Sequence, residues 1–449
     1  LTQEDLARIE ADRTELTARY PETPPSPACP SEDGHAVIYT IPFLSRTTEE
    51  SEVVAEHVAD IRDFLDQENG DLQVKVTGPA GFVKDFTEVF AGIDGTLLMA
   101  TAIVVAVLLL ITYRSPVLWL VPLISVGFAL QFANAIVYLL AKYAGVSVNG
   151  QSGGILPVLV FGVGTDYALL LIARYREELR QHEKPREAMA FALRQAGPAI
   201  LASAATVVIG LLCLLAADLN PTRGLGPVGA VGIVAGLIAM LTLLPAILVV
   251  FGRRLFWPFV PSFGSDHHEE SGIWARIGTA VSRRPRPVWI ATVVLLLVLA
   301  LGVIGIDTNL AQSDQFRTKP DAIVGQNLIA ESFPAGSGAP TTVIANAGSE
   351  AAVQAAILTV PGVAGAQQDG VSNDGSIVSF AVTLEAAPAT EAAFDTVRDL
   401  RTAVHAVDGA DAQVGGPDAQ SLDISTTTSR DQKVIIPLIL LVVLVILGA

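Results

Sequence analysis

Charge is what this sequence has least of. Only 16% of its 449 residues are Asp, Glu, Lys or Arg, against about 25% in an ordinary soluble chain. The shortage is uneven, because long stretches carry almost none. Cysteine is nearly absent too. Cys29 lies in a polar segment and Cys213 inside an apolar run, so they cannot pair across a water–lipid boundary. Both read as free thiols, and no disulfide framework holds the fold. There is no Gly-x-x-x-x-Gly-Lys-Ser/Thr run to cradle a nucleoside triphosphate, which argues against direct ATP drive, and no cofactor or metal is expected. A formal net charge of −17 argues against nucleic acid, which needs a basic face. No secretory leader is visible. The chain begins at Leu1, not Met, and its last apolar run stops at Ala449 without a flank, so both ends read as cut.

What is abundant is apolar surface: 51% of residues are hydrophobic and the mean hydropathy is +0.51. A bilayer-crossing helix needs about 20 mostly apolar residues. Six full runs and one shortened run qualify: 95–113, 117–140, 154–173, 197–217, 227–251, 288–306 and 434–449. The expected fold is therefore a polytopic α-helical membrane protein. Tyr113-Arg114-Ser115-Pro116 joins the first two runs as a hairpin.

Basic residues alternate between the loops. Arg114, then Arg174, Arg176, Arg180, Lys184, Arg186 and Arg194, then Arg253, Arg254, Arg276, Arg283, Arg284 and Arg286 mark one side, while the other loops hold only Lys142 and Arg223. The basic set should be cytoplasmic. The division expected is a first outer domain at 1–94, truncated at its start; a five-helix transmembrane block at 95–251; a cytoplasmic loop at 252–287; a transmembrane helix at 288–306; a second outer domain at 307–430; and the start of a further, cut transmembrane helix at 431–449. This places a multi-pass protein in the cytoplasmic membrane with its large domains outside.

Residues 307–430 read as α+β. Strands are expected at Thr341–Asn346, Ser376–Leu384 and Ala412–Val414, with helices at Glu350–Leu358 and Thr390–Val407. That order suggests a split βαβ, ferredoxin-like sandwich. The first 94 residues echo it. Val37–Phe43 resembles the strand Ile377–Leu384, and the helix around Ile61 and Arg62 resembles that around Leu400 and Arg401. Gly78-Pro79 matches Gly416-Pro417 and Asp85 matches Asp423, with one offset for both (416 − 78 and 423 − 85 give 338). An apolar run follows each copy, as in transporters built from duplicated halves.

One ionisable residue stands well inside an apolar run: Asp166, in Gly162-Val163-Gly164-Thr165-Asp166-Tyr167-Ala168. A carboxylate at the bilayer centre costs at least ~2.5–3.5 kcal/mol, so it needs either a structural hydrogen-bond partner or a function. Burial disfavours the charged form of a carboxyl, which suits it to carry a proton. It is expected to face the interior of the helix bundle. Tyr167 can hydrogen-bond a partner, Thr165 adds a hydroxyl, and Gly162 and Gly164 would let a neighbouring helix approach closely.

The Gly-x-Gly-Thr-Asp-Tyr run, the following Arg-Tyr-Arg-Glu-Glu extension, the Tyr-Arg-Ser-Pro turn and the order of the two outer domains resemble the mycobacterial membrane protein large (MMPL) family. That family lies within the resistance–nodulation–division (RND) superfamily. The resemblance covers essentially the whole chain. It implies outer porter domains, an RND-like internal repeat with about twelve spans in all, and an Asp-Tyr pair in the family's fourth span facing a second pair in its tenth. By it, Asp166 and Tyr167 form the first pair of a proton relay, with Thr165, Gly162 and Gly164 supporting. The second pair would fall at about position 504 if the repeat offset holds.

The implied function is proton-motive-force-driven export of lipids or hydrophobic compounds. The implied partners are protons, membrane lipids, a lipid or hydrophobic small-molecule substrate and the missing second half of the same protein; a homo-oligomer is left open. Two other readings share the span pattern: an accessory unit of protein secretion and a non-transporting, sterol-sensing, receptor-like relative. The sequence around Asp166 disfavours the first, and the retained carboxylate disfavours the second.

Gln131 and Asn134 are expected to bond a neighbouring helix. Gly226, Gly229, Gly232 and Gly236 should form a close-packing face. The amphipathic stretch Glu187–Gln195 should lie along the inner membrane surface, and Gly78-Pro79 and Gly416-Pro417 read as strand-ending turns. His267-His268-Glu269-Glu270 reads as a solvated loop with no complementary metal ligands nearby.

Overall fold

A computed structural model describes residues 1–43, 48–66, 72–264, 273–302 and 319–448. In chain order it contains α1 (Gln3–Arg19), the two-residue strands β1 (Cys29–Pro30) and β2 (Val37–Ile38), α2 (Thr48–Asp66) and α3 (Gly78–Tyr113). Then come α4 (Leu120–Ala144), α5 (Gly150–Gln181), α6 (Pro185–Leu212), α7 (Asn220–Leu241), α8 (Leu243–Phe251), α9 (Ile273–Arg283), α10 (Pro285–Leu301) and α11 (Asp321–Ser332). The chain ends with β3 (Thr341–Asn346), α12 (Glu350–Leu358), β4 (Val363–Val371), β5 (Ile377–Leu384), α13 (Glu391–His405), β6 (Gln413–Gly415) and α14 (Pro417–Gly448). These residues form two compact units: Leu1–Val89 with Thr308–Ser429, and Phe90–Asp307 with Arg430–Ala449.

In the first unit, β3–β6 make an antiparallel sheet of order β4-β5-β3-β6. Strict alternation along β5 turns Val378, Phe380, Val382 and Leu384 inward, where α12 (Val353, Ile357) and α13 (Val397, Leu400, Val404) close the core. The strands expected at Thr341–Asn346 and Ser376–Leu384 and both helices are present within a few residues of their expected ends. Strand β4 was not foreseen. Its sequence, Val-Ala-Gly-Ala-Gln-Gln-Asp-Gly-Val, lacks alternation, and it lies at the sheet edge with two irregularities in its register, where only one flank needs satisfying. The strand expected over Val37–Phe43 is also corrected. Among the described residues the strand is limited to Val37–Ile38, paired with Cys29–Pro30, and beyond it Thr40 accepts from Ser26 N at 2.8 Å.

Two Arg–Asp ion pairs occupy matching places in the repeat, the aspartates at the offset of 338 (423 − 85) and the arginines one residue beyond it (401 − 62 = 339). Arg62 Nη1 donates to Asp85, and Arg401 makes a bidentate pair with Asp423 at 2.6 and 2.8 Å. In both copies the second guanidinium nitrogen reaches a backbone carbonyl shortly before the Gly-Pro, Val76 at 3.2 Å and Val414 at 3.5 Å. Gly78 and Gly416 both take left-handed backbone, with φ of 82° and 95°. Each lets the chain turn sharply so that Pro79 or Pro417 can enter the first turn of a long helix, where its missing N–H is not needed. Asp85 also accepts the N–H of Ala322 at 3.0 Å, and Lys75 Nζ lies 2.6 Å from Asp321. Helix α11 is thereby fastened to the first 89 residues of this unit, although the second unit's helices separate them in sequence.

The second unit is helical. Among the described residues, four stretches are long and apolar enough to cross a membrane: Leu120–Ala144, Gly150–Gln181, Pro185–Ala216 and Asn220–Phe256. Leu98–Tyr113 is a shorter apolar segment, and Arg276–Arg283 with Pro285–Leu301 make a fifth candidate bent by 100°. Small residues set the spacing. A Cβ on Gly226 would meet the Leu211 carbonyl at 2.7 Å, and one on Gly232 would meet Leu156 at 2.6 Å. Gly229 is packed against Leu211 and Leu159 in the same way, whereas Gly236 faces open space.

Three expectations change here. Glu187–Gln195 does not lie apart on a surface; it is the start of α6, with Ala188, Met189 and Ala192 inside the bundle core. Gln131 and Asn134 bond each other along α4, at 3.4 Å, and are exposed. The expected boundary at 94/95 falls inside the unbroken helix α3. Asp431, 4% exposed, accepts the N–H groups of Asp218 and Leu219 at the start of α7, where a carboxylate suits the helix dipole.

Candidate functional site

Helix α5 carries the candidate site. It is started by a capping box in which Asn149 accepts from Ser152 N and Ser152 Oγ from Asn149 N. Its far end is held by Arg253, whose Nη2 donates to the carbonyls of Leu179 and His182, both at 2.7 Å. Between these ends the helix is one of the most deeply packed in the molecule. Leu156, Val160, Tyr167, Ala168, Leu171, Ile172 and Tyr175 all join the bundle core.

About 100° separates successive residues of a helix, so adjacent residues of the motif meet different surroundings. Tyr167 is 5% exposed. Its hydroxyl is turned towards Ser203 of α6 but completes no regular hydrogen bond. Thr165 is buried and donates to the carbonyls of Phe161 at 2.8 Å and Gly162 at 2.9 Å, so its hydroxyl is spent inside its own helix. Gly164 is a true contact point: a Cβ there would lie 2.6 Å from Val126 of α4 and 3.5 Å from Met240 of α7.

Asp166 differs. It is exposed, and so are Val158, Gly162, Leu170 and Ala173, which share its helix face at three- and four-residue spacing. The expectation that Asp166 faces the bundle interior is therefore not met within this chain. The packed face of α5 is the one bearing Gly164, Thr165 and Tyr167. Gly162, expected to seat a neighbouring helix, has nothing within 4 Å of its would-be Cβ and lies on the Asp166 face. The stretch His267-His268-Glu269-Glu270 lies outside the described residues.

Sequence reasoning missed one polar centre, Glu178. It is only 3% exposed. It accepts from Gln195 Nε2 at 3.1 Å and lies 3.3 Å from His182 Nδ1, joining the last turn of α5 to α6. The signal was the i, i+4 spacing of Glu178 and His182 beyond the apolar run.

Comparison with known proteins places this architecture. A membrane protein of Streptomyces coelicolor, ActII-3, is 50% identical over 378 residues, covering 84% of this chain and 53% of that protein. The apo-petrobactin exporter of Bacillus anthracis is 31% identical over 453 residues, covering 93% of this chain and 61% of that protein. The chain thus spans a little over half the length of these curated relatives. The hedgehog release protein Disp of the water bear Hypsibius dujardini shares the fold, with a TM-score of 0.56 over 93% of this chain and 60% of that chain, at 12% identity. Matched to the family's sequence pattern over residues 3–288 and 326–448, and so along nearly its whole length, this helical membrane-type chain belongs to the MMPL family.

Proposed function

We propose that the intact protein exports lipidic or hydrophobic compounds across the cytoplasmic membrane, driven by the proton-motive force, and that Asp166 is a proton-carrying group. The observation that carries this reading is the placement of Asp166. A lone carboxylate sits midway along an apolar helix whose opposite face is locked into the bundle, on a surface left exposed among the described residues. A charge in that position is expensive unless a polar partner faces it. A partner helix from the rest of the protein, bringing its own polar group, would desolvate Asp166 and let it take up and release a proton as the helices move. Tyr167 is then a positioning residue that holds α5 against α6. Thr165 and Gly164 keep the helix fixed in the bundle, and Gly162 leaves room beside the carboxylate.

The two outer segments are proposed as ferredoxin-like porter domains of an internally repeated transporter. The sheet order and the matched Arg–Asp pairs support this. The named activity of one relative, export of apo-petrobactin, supports a transporter over an enzyme.

The test is Asp166→Asn in the intact protein. Asn keeps size and hydrogen bonding but cannot titrate in this range. Export under an imposed pH gradient should be abolished at normal membrane abundance, while Tyr167→Phe should impair it less. Full export by the Asn variant would remove Asp166 from the mechanism.

A further inference from the structure

Among the described residues, the basic end of the helix bundle holds arginines that no acid neutralises. Arg176 and Arg180 are one turn apart on α5, both half-buried, and the Nε of each is fully buried without a hydrogen-bond partner among the described residues. Neither side chain makes an ion pair among those residues. The nearby acids are engaged elsewhere, Glu177 with Arg174, and Glu178 with Arg174, His182 and Gln195. Hydrogen bonds draw further arginines to the same place. Ser115, next to Arg114 in the α3–α4 turn, donates to the Leu255 carbonyl at 2.8 Å. Two residues before Leu255, Arg253 caps the end of α5, and its Nε is also buried and unpaired. Arg176 is desolvated and repelled by both Arg180 and Arg114.

Removing guanidinium groups from water beside one another, without a counter-charge, costs several kcal/mol per ion. Loop arginines that merely orient a membrane protein have no need to be buried. A planar guanidinium fork matches phosphate oxygens. Beside the cluster, Trp257, Phe259 and Phe263 are exposed, and Gly264 N is bonded to the Arg180 carbonyl at 2.9 Å. That arrangement holds apolar rings next to the charges, as at a membrane–water interface.

We propose that Arg114, Arg176 and Arg180 form a site for the phosphate of an anionic phospholipid, with the acyl chains lying along the neighbouring aromatic and apolar surface. This rests on the reading that the basic end faces the inner leaflet, but not on proton coupling or on export.

The experiment uses the intact protein in detergent. It measures retention of phosphatidylglycerol against phosphatidylcholine by native mass spectrometry, with inorganic phosphate as competitor. Phosphatidylglycerol should be retained selectively. At about fivefold per basic residue, Arg176→Gln with Arg180→Gln should weaken it about 25-fold, and Arg284→Gln, an exposed arginine of the same basic set, should leave it unchanged. Arg180→Lys, which keeps the charge and is the safer variant for folding, should give a smaller loss. Equal retention of the two lipids, or unchanged retention in both the double Gln and the Lys variants, would overturn the site. Displacement of the lipid by inorganic phosphate at equal concentration would make it a free-anion site and overturn the lipid assignment. Asp266, Glu269 and Glu270 follow closely in sequence and are the internal rivals for these arginines. Their replacement by Asn, Gln and Gln should not change lipid binding, and a rise would identify them as the occupants instead. Because the readout is binding, failure here leaves the Asp166 experiment untouched.

Discussion

Gly162 and Gly164 show how far one residue's identity depends on the face it occupies. Both were read from sequence as close-packing points, yet the helical turn sends Gly164 against Val126 and leaves Gly162 beside Asp166 in open space. Gly164→Ala should therefore destabilise the bundle by about 1–3 kcal/mol, the usual range for overpacking a filled core. Gly162→Ala should leave folding unchanged and, if it alters anything, should alter export. Thermal unfolding of the purified intact protein separates the two, and equal destabilisation by both would contradict the packing described. Thr165 belongs to the same scale. Its hydroxyl bonds its own helix, so Thr165→Val should retain export within about twofold, a small effect on the rate scale.

At the scale of elements, the two Arg–Asp pairs make a natural comparison, because the same contact occurs in two settings. Arg62 and Asp85 are 15% and 3% exposed, and Asp85 also holds the first turn of α11. Arg401 and Asp423 are 28% and 60% exposed. Removing one partner of a buried pair strands a charge and costs about 3–5 kcal/mol, whereas an exposed pair contributes about 0–1 kcal/mol. Asp85→Asn should thus loosen α11 and the Leu1–Val89 part of the first unit, read as faster amide exchange over 321–332, and Asp423→Asn should hardly change exchange at neutral pH.

The exposed pair has a pH signature of its own. The Arg401 guanidinium holds the Asp423 carboxyl below its ordinary range. A lowered folded-state value means the pair's stabilisation is complete above the unfolded Asp value of about 3.9 and is lost as pH falls through the folded value. Comparing the unfolding of wild type and Asp423→Asn at pH 6 and pH 3 should show a small difference at pH 6 that shrinks at pH 3. A difference that grew on acidification would contradict the sign.

At the scale of the molecule, the alternation of basic loops predicts which side of the membrane each loop faces. In a background lacking Cys29 and Cys213, new cysteines at Glu22 and Asn373, both exposed in the first unit, should react with an impermeant thiol reagent added to whole cells. A cysteine at Lys184, exposed between α5 and α6, should react only after permeabilisation. Labelling of Glu22→Cys or Asn373→Cys only after lysis would overturn the topology.

The sequence by itself determined the helical membrane character, the family and the residues of the motif. It also marked the matched Gly-Pro and Asp positions at one offset, the matching helices that carry Arg62 and Arg401, and most of the strands and helices within residues 307–430. These follow from local chemistry: apolar run length, alternation along β5, and turn residues such as Gly416-Pro417. Tertiary structure alone decided the rest. Strand β4 exists because β5 offers it an edge, not because Val363–Val371 has a strand's pattern. Helix α11 joins a segment more than 200 residues upstream through Asp85, Lys75 and Arg62. Glu187–Gln195 enters the bundle because its alanines fit the core beside α5. Asp166 is turned away from the core because Gly164, Thr165 and Tyr167 occupy the packed face, and a helix can present only one face to its neighbours at a time. Periodicity along a chain can reveal that a face exists, but which face is covered depends on the elements that the fold brings against it.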